Sequence, residues 1–124
     1  MKESEQLPYI PLDFEKFRNL SAGIIPALII DSENKSILMC GYMTKQNYEE
    51  TLETKRVVFY SRTRSKRWLK GETSGNFLEV ESVIQGCEND IILIRAKPKG
   101  PTCHRMTKSC FDKKPMAPED LWLL

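Results

Sequence analysis

The sequence predicts a β-rich α+β domain of about six strands and two short helices. Three observations carry that reading. Short apolar, β-branched runs recur between turn signals. Residues 77–84 alternate apolar and polar side chains, the pattern of a half-buried strand. Only two stretches show helical spacing, and both are short. A chain of 124 residues can bury one hydrophobic core, so residues 1–124 are read as a single domain. The expected form is a small twisted sheet or pseudo-barrel.

Residues 1–11 read as extended, because Pro8 and Pro11 oppose a helix. Asp13 can cap a short helix to about Leu20, with Phe14, Phe17 and Leu20 on one face. Residues 24–30 form an apolar strand, 31–35 a turn and 37–42 the next strand, together a hairpin in which Cys40 is read as a core residue. Thr44 caps a second helix to Thr54, with Met43 and Tyr48 as a hydrophobic staple and Tyr48 and Leu52 on one face. Asn47 stands where a capping box prefers Glu or Gln. Strands follow at 56–60, 77–84 and 91–96, with a turn at 86–90. A long loop runs from Pro98 to about Pro118. The apolar tail from Leu121 to Leu124 suits a docking turn or a dimer contact.

Composition is that of an ordinary globular protein, 40% hydrophobic and 29% charged, and the net charge of +2 singles out no partner. No apolar run reaches the length of a membrane span, and the N-terminus has no apolar stretch of signal-peptide type. A cytoplasmic location is expected. There the four cysteines stay reduced and read as metal-binding or catalytic rather than disulfide-bonded.

Residues 61–76 read SRTRSKRWLKGETSGN. Arg62, Arg64, Lys66, Arg67 and Lys70 are five cations in nine residues, followed by Thr73, Ser74, Gly75 and Asn76. Guanidinium forks, hydroxyls and backbone N–H groups near glycine suit phosphate oxygens, and Trp68 can stack on a base. A solvated hairpin tip explains the same residues. Single-stranded nucleic acid is a third reading. The small net charge and the lack of a second aromatic in the patch count against it.

Three cysteines lie in polar loops: Cys87, Cys103 and Cys110. They form a candidate zinc set, since three protein ligands with an open fourth position make a catalytic site. With His104 they could equally make a closed structural site. Otherwise His104 is a candidate general base or water-orienting group, or simply an exposed loop histidine. Glu88 and Asp90 flank Cys87 and could hold Mg²⁺, or simply form a polar turn.

Taken together, these segments resemble the phosphoribosyl-AMP cyclohydrolases of histidine biosynthesis, in particular the cyclohydrolase half of the bifunctional enzymes. The likeness rests on residues 38–43 (LMCGYM), 59–63 (FYSRT), 68–76 (WLKGETSGN), 100–104 (GPTCH) and 109–111 (SCF). It implies an intertwined homodimer with zinc shared between subunits: Cys87 from one chain, Cys103 and Cys110 from the other. It implies hydrolysis of the purine N1–C6 bond of phosphoribosyl-AMP. His104 would move the proton, Arg62, Lys70, Thr73, Ser74 and Asn76 would hold phosphate and ribose, and Trp68 would wall the base. A membrane or nucleic-acid partner is not expected.

The sequence departs from the family pattern at one place. The family segment reads Asp-Cys-Asp-x-Asp, and its aspartates bind Mg²⁺. Here it reads Gly86-Cys87-Glu88-Asn89-Asp90. The resemblance therefore implies zinc as cofactor and a degenerate Mg²⁺ site at Glu88 and Asp90. The departure also leaves a second reading, a catalytically impaired nucleotide-phosphate binder with a structural zinc.

Overall fold

The computed structural model describes residues 12–14 and 23–123, the side chains of 122 and 123 excepted. The expected helix between Asp13 and Leu20 falls largely outside the described residues. Two antiparallel hairpins make the main sheet. The first is β1 (Ile25–Asp31) with β2 (Ile37–Met43), and the second is β5 (Leu78–Gln85) with β6 (Ile92–Pro98). β1 and β6 pair in parallel at the centre, giving a mixed sheet of order β2-β1-β6-β5. Pro26 is tolerated in β1 because the β6 ladder begins one residue later, at Ala27 with Ile92.

Helix α1 (Lys45–Thr54) and a two-stranded ribbon, β3 (Val58–Ser61) with β4 (Lys66–Leu69), connect the two hairpins. The core is continuous across these elements. It holds Ile25, Ala27 and Ile29 of β1, Leu38 and Met43 of β2, Phe59 of β3, Leu78 of β5 and Ile92 and Ile94 of β6. Burial of this apolar surface supplies the main driving force. Among the described residues, no helix is long and apolar enough to cross a membrane.

The local chemistry of α1 follows its sequence. Thr44 is the N-cap: its hydroxyl accepts from the Asn47 N–H at 3.1 Å, and the Asn47 side chain accepts from the Thr44 N–H at 3.0 Å. The shorter amide thus completes the capping box. The buried face is Asn47, Tyr48 and Thr51, not Tyr48 with Leu52, which is 43% exposed. Thr51 takes the inward position because its hydroxyl is used twice. It donates to the Asn47 carbonyl at 2.8 Å and accepts from the Val58 N–H at 2.9 Å, tying α1 to β3.

Two further expectations are corrected. Cys40 is exposed rather than in the core. The β1–β2 register shifts between Ile29, opposite Met39, and Ile30, opposite Ile37, so Leu38 is an extra bulged residue. Leu38 and Met39 are both buried there, and Cys40 falls on the outer face. Strand β4 was hidden by its cations, which mask the alternation in Lys66-Arg67-Trp68-Leu69. The tail forms a 3-10 turn at Pro118–Leu123 with Leu121 exposed.

The long C-terminal loop has almost no regular structure, yet it is anchored at one place. The carbonyl of bulged Leu38 accepts the Cys110 N–H at 2.8 Å, and the Ser109 hydroxyl donates to the Ile37 carbonyl at 2.6 Å. Lys108 reaches back to buried Asp31 at the end of β1, Nζ to Oδ2 3.3 Å. Asp31 Oδ1 also accepts from the Glu33 N–H at 2.9 Å. That hydrogen bond, with Lys108, holds the Asp31 carboxyl below its ordinary value, against the opposing effect of burial.

Two expected outcomes test this framework. A Cβ on Gly41 would stand 2.5 Å from the Phe59 ring. Gly41→Ala should therefore destabilise the fold by about 1–3 kcal/mol, the usual range for overpacking, read by urea unfolding. Asp31 has a depressed native pKa, so its contribution is complete above the unfolded value and disappears as pH falls through the native one. Asp31→Asn should cost on the order of 1 kcal/mol at neutral pH. That difference should vanish in strong acid, and a pH series of unfolding midpoints would show it.

Candidate active site

The β3–β4 ribbon brings the first part of the site. Phe59 and Trp68 are cross-strand partners with ring centroids 5.6 Å apart. Phe59 is fully buried, whereas Trp68 stays 37% exposed and presents indole surface to a cavity. Lys70 follows as the chain leaves β4. Its N–H bonds the Val57 carbonyl, its side chain is buried, and its ammonium lies 5.8 Å from the Trp68 ring centroid. Burial pulls the Lys70 pKa down, and the two nearby thiols, Cys110 and Cys103, oppose that.

The turn at 71–76 brings the second part. Gly71 has φ +92, and a Cβ there would strike the backbone of Asn76 and Phe77, so only glycine fits. The Gly75 N–H closes the turn on the Gly71 carbonyl at 2.8 Å, and the Ser74 hydroxyl accepts from the Asn76 N–H at 3.1 Å. The Asn76 carboxamide packs against Gly100, where a Cβ would overlap it. Gly100 thus lets the 100–104 loop lie directly on the 71–76 turn.

The third part is the cysteine loop. Thr102 pairs with Lys108 and Cys103 with Thr107 through backbone hydrogen bonds, which fold residues 102–108 back on themselves. Cys103 is buried and Cys110 half-buried. Their pKa values are driven apart. The Arg105 N–H is the chief influence lowering Cys103, with the Arg105, Thr107 and Cys110 side chains helping, and its thiol sits at about 7. Cys110 is raised, first by burial and then by the charge of Cys103. One of the two is thus ready to be a thiolate at neutral pH. His104 Nδ1 lies 4.0 Å from Cys103 Sγ.

These parts enclose two adjoining lobes of about 750 and 270 Å³. Trp68, Lys70, Glu72, Thr73 and His104 line both. Cys110 lines the larger lobe, and Cys103, Ser74 and Asn76 the smaller. Eight of the residues to which the resemblance assigns a site role therefore converge, namely Trp68, Lys70, Thr73, Ser74, Asn76, Cys103, His104 and Cys110, and Arg64, Lys66 and Arg67 of the basic run join them in the larger lobe.

Four do not. The Arg62 guanidinium stacks on the Tyr42 ring, 3.9 Å from its centroid, and is absent from both linings. Cys87, Glu88 and Asp90 lie on the turn between β5 and β6. The loop to Cys103 leaves the opposite end of that hairpin, beyond Pro98. Strand β6 alone separates the two ends by roughly 20 Å at the usual rise per residue. Among the described residues, no three His, Cys, Asp or Glu side chains form a group able to hold a metal. The donor chemistry of Cys103 and Cys110 suits zinc, but within one chain it supplies only two thiols.

Gly86 has a structural reason. Its N–H bonds the Ile91 carbonyl at 2.8 Å, and a Cβ would overlap the Ile91 side chain. An aspartate cannot be restored there without moving Ile91. The basic run also proves heterogeneous. Arg67 forms a two-point ion pair with Glu50 of α1, its Nε to Oε1 at 2.7 Å, so it braces the ribbon instead of waiting for a ligand. Arg64, one of the five cations proposed for phosphate, does line the larger lobe, whereas Thr63, Glu72 and Thr102 line it without a role expected from the sequence. Thr63 and Glu72 lie inside the segment that was read as a basic patch, and nothing in the sequence marked Thr102 as buried.

The chain is similar to known proteins over the segments that build this cavity. Residues 39–112, more than half of the chain, match the family described as phosphoribosyl-AMP cyclohydrolase. A histidine biosynthesis bifunctional protein HisIE from Bacteroides thetaiotaomicron is 48% identical over 103 residues, 83% of this chain and 49% of that protein. A HisIE protein from Photobacterium profundum is 50% identical over 90 residues, 73% of this chain and 44% of that protein. The chain spans about half the length of these two relatives. A phosphoribosyl-AMP cyclohydrolase from Bacillus cereus is 50% identical over 93 residues, 75% of this chain and 92% of that protein. Matched over both the ribbon and the cysteine loop that build the cavity, the chain belongs to the phosphoribosyl-AMP cyclohydrolase family.

Proposed function

We propose that this chain hydrolyses the N1–C6 bond of the purine ring of phosphoribosyl-AMP, a step of histidine biosynthesis, with zinc as cofactor. The observation that carries this reading is a cavity with the Cys103–Cys110 pair beside an indole face, a buried lysine and hydroxyl-bearing turns. Trp68 walls the base. Thr73, Ser74 and Asn76 hold phosphate and ribose at one end, while Lys70 supplies positive charge between the base and the thiols. Arg62 is a phosphate ligand only if it leaves Tyr42. His104 exchanges a proton with the reacting water or with the ring nitrogen it frees.

Zinc would be held by Cys103 and Cys110 together with Cys87 from a second copy of the chain. When bound, it supplies Lewis-acid polarisation and water activation at neutral pH. Two features support the shared site: the charged-state bias at Cys103, and the opposite placement of Cys87 on the β5–β6 hairpin. A Mg²⁺ ion would have Glu88 and Asp90 as its remaining acidic ligands, a set one short of the family's.

The test is turnover of phosphoribosyl-AMP by purified, zinc-loaded protein, followed spectrophotometrically. Nucleotide binding without turnover would establish the impaired-binder alternative instead. A mixing experiment addresses the shared site. Cys87→Ser and Cys103→Ser should each be inactive alone. Mixed after unfolding and refolding, they should recover about a quarter of wild-type activity, the statistical share of intact composite sites in twofold dimers. No recovery from a properly dimeric mixture would reject the shared ligand set.

A further inference from the structure

Glu72 has no role in a site built only to bind phosphate and zinc. Among the described residues it is the sole carboxylate lining the two lobes, and it lines both. Its backbone is fixed by a hydrogen bond from its N–H to the Leu69 carbonyl at 3.0 Å. Its side chain is exposed to the cavity side of the turn, with no ion pair to it among the described residues. The cation that feels its charge, Arg67, is already engaged at two points by Glu50. Arg64, Lys66 and Lys70 line the larger lobe with it and serve the phosphate, whereas a carboxylate in the same wall repels phosphate and is favoured there only when the ligand also carries positive charge.

The proposed substrate class provides that charge. An adenine substituted at N1 is a cyclic amidine, a base whose protonated form spreads its charge over N1, C6 and the exocyclic nitrogen. We infer that Glu72 binds this amidinium through a charge-assisted hydrogen bond from the exocyclic N–H, and so selects N1-substituted purine nucleotides over neutral adenine nucleotides. The inference rests on the cyclohydrolase reading. It also gives the site a way to release product. Hydrolysis places the water oxygen on C6, breaks N1–C6 and sends one water proton to N1. The excess proton is released, and the former exocyclic nitrogen becomes a neutral carboxamide. The ion pair then no longer exists.

The experiment is calorimetric binding of 1-methyladenosine 5′-monophosphate and of AMP to the zinc-loaded protein and to Glu72→Gln. Wild type should prefer the methylated, cationic nucleotide by about 10–100-fold, the usual worth of a hydrogen bond between charged groups. Glu72→Gln should bind both alike, with an AMP affinity equal to or above that of wild type because the repulsion of the phosphate is gone, and Glu72→Asp should restore part of the preference. Equal wild-type affinities would overturn the inference, and so would a preference that survives in Glu72→Gln. A parallel loss of both nucleotides would place Glu72 in the fold of the turn and overturn it too. Because the readout is binding, failure here is distinguishable from failure of the turnover assay on wild type.

Discussion

The hydrogen bond from Cys110 to the carbonyl of Leu38 is the contact on which the site depends. A regular β1–β2 ladder would leave β2 as an ordinary edge strand. The bulge at Leu38 instead offers a carbonyl to the C-terminal loop at the level where β1 ends. Bulges commonly re-aim strands near functional sites. Ser109 adds a bond to Ile37, and Lys108 a charge contact to Asp31, so three successive residues are fixed on one hairpin. Only with that anchor does an irregular loop hold two thiols against Lys70 at the end of the β3–β4 ribbon.

The charges of the site are divided between structure and ligand. Of the five cations in the basic run, Arg67 is committed to Glu50, Arg62 to the Tyr42 ring, and Lys70 to the neighbourhood of the thiols. Burial lowers the Lys70 pKa, but the same burial strengthens its attraction to any thiolate formed beside it. The thiols themselves are unequal: one is stabilised as an anion by backbone N–H donation, and the other is disfavoured by burial and by its partner's charge. Such a pair loses its mutual repulsion when a divalent cation takes both.

Much of this was legible in the residues. The hairpins were readable because their apolar runs are bounded by strong turn signals, Asp31 to Lys35 and Gly86 to Asp90. The cap at Thr44 was readable because capping is local chemistry. What was missed depends on neighbours distant in sequence. Cys40 sits in an apolar run, and only the bulge against β1 puts it outside. Leu52 lost the inner face of α1 to Thr51, whose hydroxyl has a partner seven residues away. β4 was invisible because its cations face solvent or Glu50, and its strand character comes from pairing with β3. The cavity residues were found by motif, but Glu72 was given no role within the same motif, because its place in the wall of both lobes is set by the fold of the 71–76 turn.

Topology bears on the proposed zinc site: if Cys87, Cys103 and Cys110 are its ligands, they must come from two copies of the chain. A hairpin has two ends, and in β5–β6 one end carries Cys87 while the other feeds the loop with Cys103 and Cys110. The parallel pairing of β1 with β6 locks that hairpin into the centre of the sheet, so the two ends cannot fold toward each other without breaking the core ladder. A second chain has no such restriction: related by a twofold axis, it can present its own β5–β6 turn to the first chain's cysteine loop. Each interface would then close two sites at once, and binding metal would stabilise the dimer rather than the monomer. In this arrangement the Gly86–Ile91 contact has a second consequence. It shapes the turn that carries Cys87, so Gly86, which stands where the family has an aspartate, would also set how the third thiol is offered to a partner.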